Sequence, residues 1–126
     1  MRWVWSQNPG NFDETATPSV VFSDPPLAAV GMRSEEAAQR GADVTIKHTD
    51  TSARFTQRRL GYATGAAKII TETASGRIVG AHLLGVNADE IINVFALAVR
   101  HGLTGDDLQA MVRAYPTAGS DIAYLV

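Results

Sequence analysis

The segment DEIINVFALAVRHG, residues 89–102, limits what this chain can fold into. Projected at about 100° per residue, Ile91, Phe95 and Ala98 share one side of a helix. Ile92, Ala96 and Val99 share the next side, and Val94 and Leu97 widen the apolar cover. A helix with so narrow a polar face needs cover on more than one side, and a single sheet hides only one. Two arrangements meet that need. A following helix, opening at Thr104, lies across the second side, or a second copy of the chain covers it through a two-fold interface.

The rest of the chain supplies the sheet and its punctuation. Val20–Phe22 and Leu27–Val30 read as short extended pieces joined by the rigid Asp24-Pro25-Pro26 turn, since each proline fixes its own φ and restricts the residue before it. RSEEAAQRG reads as a helix with Ser34 as cap, Glu35 and Glu36 in the first turn and Gly41 as the stop. Ala42–Lys47 is a strand candidate with Val44 and Ile46 on one face. AAKIITETASGRIVGAHLLG is the clearest hairpin, turning at Ser75-Gly76. Gly80 inside its second strand points to a bulge or a close backbone approach. Thr104 caps a further helix with Asp107 in the capping-box place, and Leu108, Met111, Val112 and Tyr115 fall on one helical stripe. A last short helix starts at Ser120 or Asp121. Residues 1–18 form a peripheral segment carrying Trp3 and Trp5 in strand-like alternation, and residues 19–126 form one domain.

Composition narrows the function. The 126 residues suffice for one domain with a real core and are few for two. A formal charge of −2 gives no electrostatic footprint for nucleic acid or an anionic membrane. No stretch reaches a transmembrane length, and MRWVWSQNPG lacks the apolar core of a signal peptide. Cysteine is absent, which removes disulfides, thiol catalysis and Cys-ligated metal from this chain and fits a cytoplasmic setting. The three histidines, His48, His82 and His101, are scattered, so no metal site is expected. YATGAAK lacks the Walker spacing, and the glycines read as turn and strand-packing positions. Asp89 and Glu90 sit where acids stabilise a helix N-terminus, and Arg58-Arg59 reads as a solvated pair.

The ending YPTAGSD carries polar groups close together: Tyr115, Thr117, Ser120 and Asp121. A tyrosine is a poor general base at neutral pH unless strongly perturbed, and no histidine lies near in sequence. From the residues alone this is a proline turn with a helix cap.

The order VVFSDPPLAAVG, SEEAAQRG, AAKII, GRIVGAHLLGVNADEIINVFALAVRHGLTGDDL and YPT resembles the C-terminal dimerisation domain of the class I pyridine nucleotide-disulfide oxidoreductases, FAD flavoproteins that include glutathione reductase, dihydrolipoamide dehydrogenase, mercuric reductase and soluble transhydrogenase. The resemblance runs from about Ser19 to Asp121. It implies an α+β fold, an antiparallel sheet with helices packed on it, as one domain of a longer enzyme. It implies a homodimer paired through the helix Asp89–Arg100 and its surroundings. It further implies FAD and NAD(P) in the parent enzyme, with no cofactor held by this fragment alone.

In many members the closing turn reads His-Pro-Thr with a glutamate five residues after the histidine, a dyad that serves the partner subunit's redox thiols. Here Tyr115 stands in the histidine place, Pro116 and Thr117 match, and Ser120 stands in the glutamate place. Tyr115 is therefore the candidate catalytic residue, and Pro116 and Thr117 the candidates for contact with the partner's flavin. A tyrosine here resembles the transhydrogenase and mercuric reductase branches, though the C-terminal cysteines of the latter are missing. Arg33 and Ser34 replace the threonine and glutamate of the family's Gly-x-Thr-Glu turn, which implies a helix cap shifted by one residue. Two other functions fit the residues: a stand-alone interaction module, or a small ligand-binding enzyme using Asp121 and His101.

Overall fold

The structure, a computed structural model, describes residues 14–126. Trp3 and Trp5 lie outside the described residues. The strands are β1 (Ser19–Val21), β2 (Leu27–Gly31), β3 (Val44–Asp50), β4 (Ala66–Glu72) and β5 (Ile78–Leu84). The helices are α1 (Ser34–Arg40), α2 (Phe55–Arg59), α3 (Ala88–His101), α4 (Gly105–Ala110) and α5 (Ile122–Leu125), with short 3-10 turns at Glu14–Ala16 and Ala118–Asp121. The strands form one antiparallel five-stranded sheet in the order β1-β2-β5-β4-β3. With helices packed against it, this is the expected α+β architecture.

Strand alternation sends Ala28 and Val30 of β2, Ala67 and Ile69 of β4, and Ala81 and Leu83 of β5 to one face, where all are buried. There they meet Ala88, Ile92, Phe95 and Ala98 of α3 and Ile122 and Leu125 of α5. A register shift aids this core. Thr71 pairs with Ile78 while Ile70 pairs with Gly80, so Val79 is the extra residue of a bulge. The bulge returns Ile78 to the α3 face, and Gly80 falls on the other. There β2 and β5 come so close that a Cβ on Gly80 would stand 2.3 Å from the Met32 carbonyl oxygen, and one on Gly31 2.3 Å from that of Val79. Both features expected of Gly80 are therefore present. On that second face Lys68 donates to the Ser34 hydroxyl of α1 (2.6 Å), and the His82 ring hydrogen-bonds the Met32 carbonyl (3.0 Å).

The elements depart from expectation at four places. Ser34 is the first residue of α1 and not its cap; Arg33 occupies that position, and its N–H donates to the Glu36 carboxylate (3.5 Å), so the cap is not shifted. The segment around Arg58-Arg59 is a helix, α2, held by tertiary contacts that no local pattern announces. α4 stops at Ala110, because Met111 is extended and the Arg113 guanidinium folds back to donate to the carbonyls of Leu108 and Gln109. Of the expected Leu108–Tyr115 stripe only Leu108 is buried; Val112 is 98% exposed and Tyr115 78%. Finally, α4 packs chiefly against α5 and is not the main cover of α3, which also packs against the Glu14–Ala16 turn.

Candidate functional site

Two surfaces come forward: the closing turn at Tyr115, and the outer side of α3. The turn is built by hydrogen bonds among its own residues. The Thr117 hydroxyl accepts from the Ser120 N–H (3.1 Å) and donates to the Ala114 carbonyl (2.7 Å). In return the Ser120 hydroxyl donates to the Thr117 carbonyl (2.6 Å) and accepts from the Thr117 N–H (3.2 Å). This reciprocal cap uses both side chains fully. Ser120 is buried, while Tyr115, Pro116 and Thr117 are all exposed.

Asp121 turns the other way. Its carboxylate accepts from the Thr56 hydroxyl of α2 at 2.8 Å. The structure thus brings Thr117 to Ser120 and Asp121 to Thr56, and it joins neither pair to Tyr115. An exposed turn of this kind can touch a cofactor held by other residues; it cannot enclose one. A small cavity of about 40 Å³ beside Asp121 is lined by Arg54, Gln57, Val86, Ile91 and their neighbours. His101 is not among its lining, for it ends α3, about 20 Å from the helix start. No shared Asp121–His101 pocket exists there. Among the described residues no His, Asp and Glu group is placed to hold a metal, and no helix is long and apolar enough to cross a membrane.

The long-range contacts of α2 and the residue before it were missed in sequence. Gln57 is buried, and its side-chain oxygen accepts from the Val86 N–H (3.3 Å). Its amide sits where a Cβ on Gly85 would be 2.0 Å away, and one on Gly65 2.8 Å. The glycines Gly65 and Gly85 were the available signal that a bulky side chain wedges there. Arg54 lies 4.0 Å over the ring of Tyr124 on α5, a cation–π contact that closes the other side.

The outer side of α3 differs from the sealed inner side. Ile92, Phe95 and Ala98 have no exposed surface, whereas Leu97 is 55% exposed and Val94, Ala96 and Val99 are half-buried. Asn93 and Arg100 flank Leu97. Ala16, Pro18, Asn93, Ala96 and Leu97 border an open hollow of about 360 Å³ between α3 and the segment leading into β1. Leu97 stands at the rim of this hollow, on a helix whose Val94, Ala96 and Val99 pack partly buried against the core.

Residues 17–125, which include all of the sheet and all five helices, match the family model described as the pyridine nucleotide-disulphide oxidoreductase dimerisation domain. The chain belongs to that dimerisation-domain family. The resemblance in sequence thus holds over nearly the whole described fold. The chain is 43% identical over 109 residues to a protein of Staphylococcus aureus described as an uncharacterized 19.7 kDa protein in a mercuric resistance operon, which covers 86% of this chain and 61% of that protein. It is 32% identical over 111 residues to the dihydrolipoyl dehydrogenase of Bacillus subtilis, covering 88% of this chain and 24% of the enzyme. Among solved structures, the HOCl-induced flavoprotein disulfide reductase RclA of Escherichia coli superposes with a TM-score of 0.81 at 30% identity, covering 86% of this chain and 25% of that one. The chain therefore spans about three-fifths of the staphylococcal protein and about a quarter of the reductases. Domains of this family mediate dimerisation.

Proposed function

We propose that this chain is the subunit-pairing domain of a cytoplasmic FAD-dependent, NAD(P)-linked oxidoreductase, with no redox activity of its own and without the His-Glu dyad common in the family. Membership of the family supports the oxidoreductase setting. The observation that carries the pairing role is Leu97: it is 55% exposed on a helix whose opposite side is sealed. Residues 19–126 form the pairing domain. In the parent, Tyr115, Pro116 and Thr117 border the partner subunit's flavin, with the Tyr115 hydroxyl as the one group of the turn free to serve the reacting centre. FAD and NAD(P) are held by the parent's other domains.

Sedimentation of the purified chain from low micromolar to several hundred micromolar tests the pairing. A concentration-dependent shift from monomer to dimer is expected, and a monomer throughout overturns the proposal. Mixed with FAD and NADH or NADPH, the chain alone turns nothing over; clear turnover would overturn the non-catalytic assignment.

A second function, a stand-alone pairing module, draws support from the staphylococcal relative, whose 19.7 kDa is far below the length of the reductases that this chain matches over a quarter. The genomic sequence upstream separates the two. A GxGxxG fingerprint and a CxxxxC pair in the same reading frame identify the oxidoreductase. Their absence from that frame identifies the module.

A further inference from the structure

β1 covers only part of its neighbour. Its three residues pair with Leu27–Ala29, and β2 runs on to Gly31, which pairs with Gly80 on the β5 side. Ahead of Ser19 the chain leaves the sheet through Pro18 into the Glu14–Ala16 turn, where the Thr17 N–H donates to the Glu14 carbonyl (3.2 Å). Among that turn, the uncovered end of β2, α1 and the C-terminal end of α3 lies a cavity of about 620 Å³. Small-molecule sites span about 300–1,000 Å³. Part of the lining is apolar: Ala29, Val30, Ile78, Val79 and Val99.

The charged lining is three arginines, Arg33, Arg40 and Arg77, against two acids, Glu14 and Glu36. It thus carries one more positive than negative charge. Glu36 is already engaged: its carboxylate pairs with Arg40 (2.5 Å) and accepts from the Arg33 N–H (3.5 Å). That bond uses the Arg33 backbone, and the Arg33 guanidinium makes no ion pair among the described residues. The Arg77 guanidinium meets the Glu72 carboxylate through Nε (3.3 Å) and Nη2 (3.0 Å), so Nη1 is the end that Glu72 does not bind. Arg77 lies along the end of α3, where a Cβ on Gly102 would stand 3.3 Å from its Cδ and 3.9 Å from Nη1. His82 joins the lining with its Nε2 committed to the Met32 carbonyl, which leaves Nδ1 as an acceptor in the neutral ring.

A guanidinium with open N–H groups takes a carboxylate or phosphate, whose oxygens match its fork. Apolar surface beside it favours a ligand with more to bury than the charge alone. We propose that this cavity binds a small organic anion, with its carboxylate or phosphate held at the Arg33 and Arg77 guanidiniums and its apolar body against Val30, Val79 and Val99. The site stands apart from the pairing role: all these residues belong to one copy, and Leu97 is not in the lining.

Titration of the full chain with 2-naphthoate, followed by calorimetry and by amide chemical shifts, tests this. Saturable binding is expected with a dissociation constant below about 1 mM. The uncharged isostere 2-naphthamide, and 2-naphthoate on the Arg33→Met variant, should each bind about tenfold more weakly, the loss of one charge-assisted contact. The shifted amides should be those of Ala29–Arg33, Ile78, Val79 and Val99. Absence of saturation in the millimolar range overturns the site, and so does binding whose shifts map elsewhere on the chain. Equal binding of the amide, or a folded Arg33→Met variant that binds as tightly as the unmodified chain, overturns the anion assignment. Because the shifts and the amide comparison use the unmodified chain, a variant that fails to fold leaves the test intact.

Discussion

Thr104 and Asp107 form the clearest single-residue device in the chain. The Thr104 hydroxyl accepts from the Asp107 N–H (3.1 Å), and the Asp107 carboxylate accepts from the Thr104 N–H (2.8 Å) and its hydroxyl (2.7 Å). The backbone bond from Thr104, followed by that from its side chain, holds the Asp107 carboxyl below its ordinary value of 3.8. A carboxyl depressed in the folded state stabilises the fold while ionised. Its contribution is complete above 3.8 and fades as pH falls below that, through the lowered folded-state value. Asp107→Asn should therefore lower stability at neutral pH, with the gap to the unmodified chain closing in acid. Urea denaturation across the acidic range checks this; a gap independent of pH would show that the charge does not matter. Thr117 and Ser120 repeat the same reciprocal geometry at the closing turn, with a neutral serine in place of the acid. That pairing consumes the Ser120 hydroxyl in capping.

At the scale of elements, much was legible because the governing signals were local. Two apolar stretches about Ser75-Gly76 gave the β4–β5 hairpin, and Gly80 marked a bulge or a close backbone approach. Thr104 and Asp107 marked the start of α4, and Gly102, left-handed at the end of α3, marked the break before it. The losses came from contacts between distant residues. FTQRR has no apolar periodicity, and α2 exists because Gln57 reaches Val86, Thr56 reaches Asp121 and Arg54 reaches Tyr124. The spacing of Leu108, Met111, Val112 and Tyr115 fits a helix, but Arg113 takes the last carbonyls and ends it. The closing turn was visible as a turn; that Asp121 would face α2 was not, since its partner is 65 residues away. The Gly31–Gly80 approach supplies an element-scale prediction. A Cβ at position 80 meets backbone, which cannot move aside as a side-chain tip can. Gly80→Ala must push β2 and β5 apart at the Met32 contact, at a cost of about 1–3 kcal/mol. Thermal denaturation should show a clear loss; an unchanged melting temperature would mean that the strands relax freely there.

For the molecule as a whole, the two sides of α3 make opposite predictions from neighbouring residues. Phe95 has no exposed surface and fills the core between the sheet and α5. Phe95→Ala leaves a cavity and should cost about 3–5 kcal/mol of folding stability. Leu97 faces outward, so Leu97→Glu removes little from the folded monomer. What it removes is apolar surface available to a partner: covering the exposed half of Leu97 on each of two copies is worth about 2 kcal/mol. That corresponds to roughly thirtyfold in dimer dissociation constant, before the cost of burying a carboxylate in its place. The expected outcome is a chain that melts like the unmodified protein under monomeric conditions yet sediments as a monomer where the unmodified chain is a dimer. Should Leu97→Glu unfold the chain as Phe95→Ala does, α3 is a core helix on every side and the partner must bind elsewhere. Should it fold and still dimerise, the apolar stripe is not the contact. The separation of folding from pairing along one helix is what a domain needs if it is to hold its own shape and still offer a second copy something to cover.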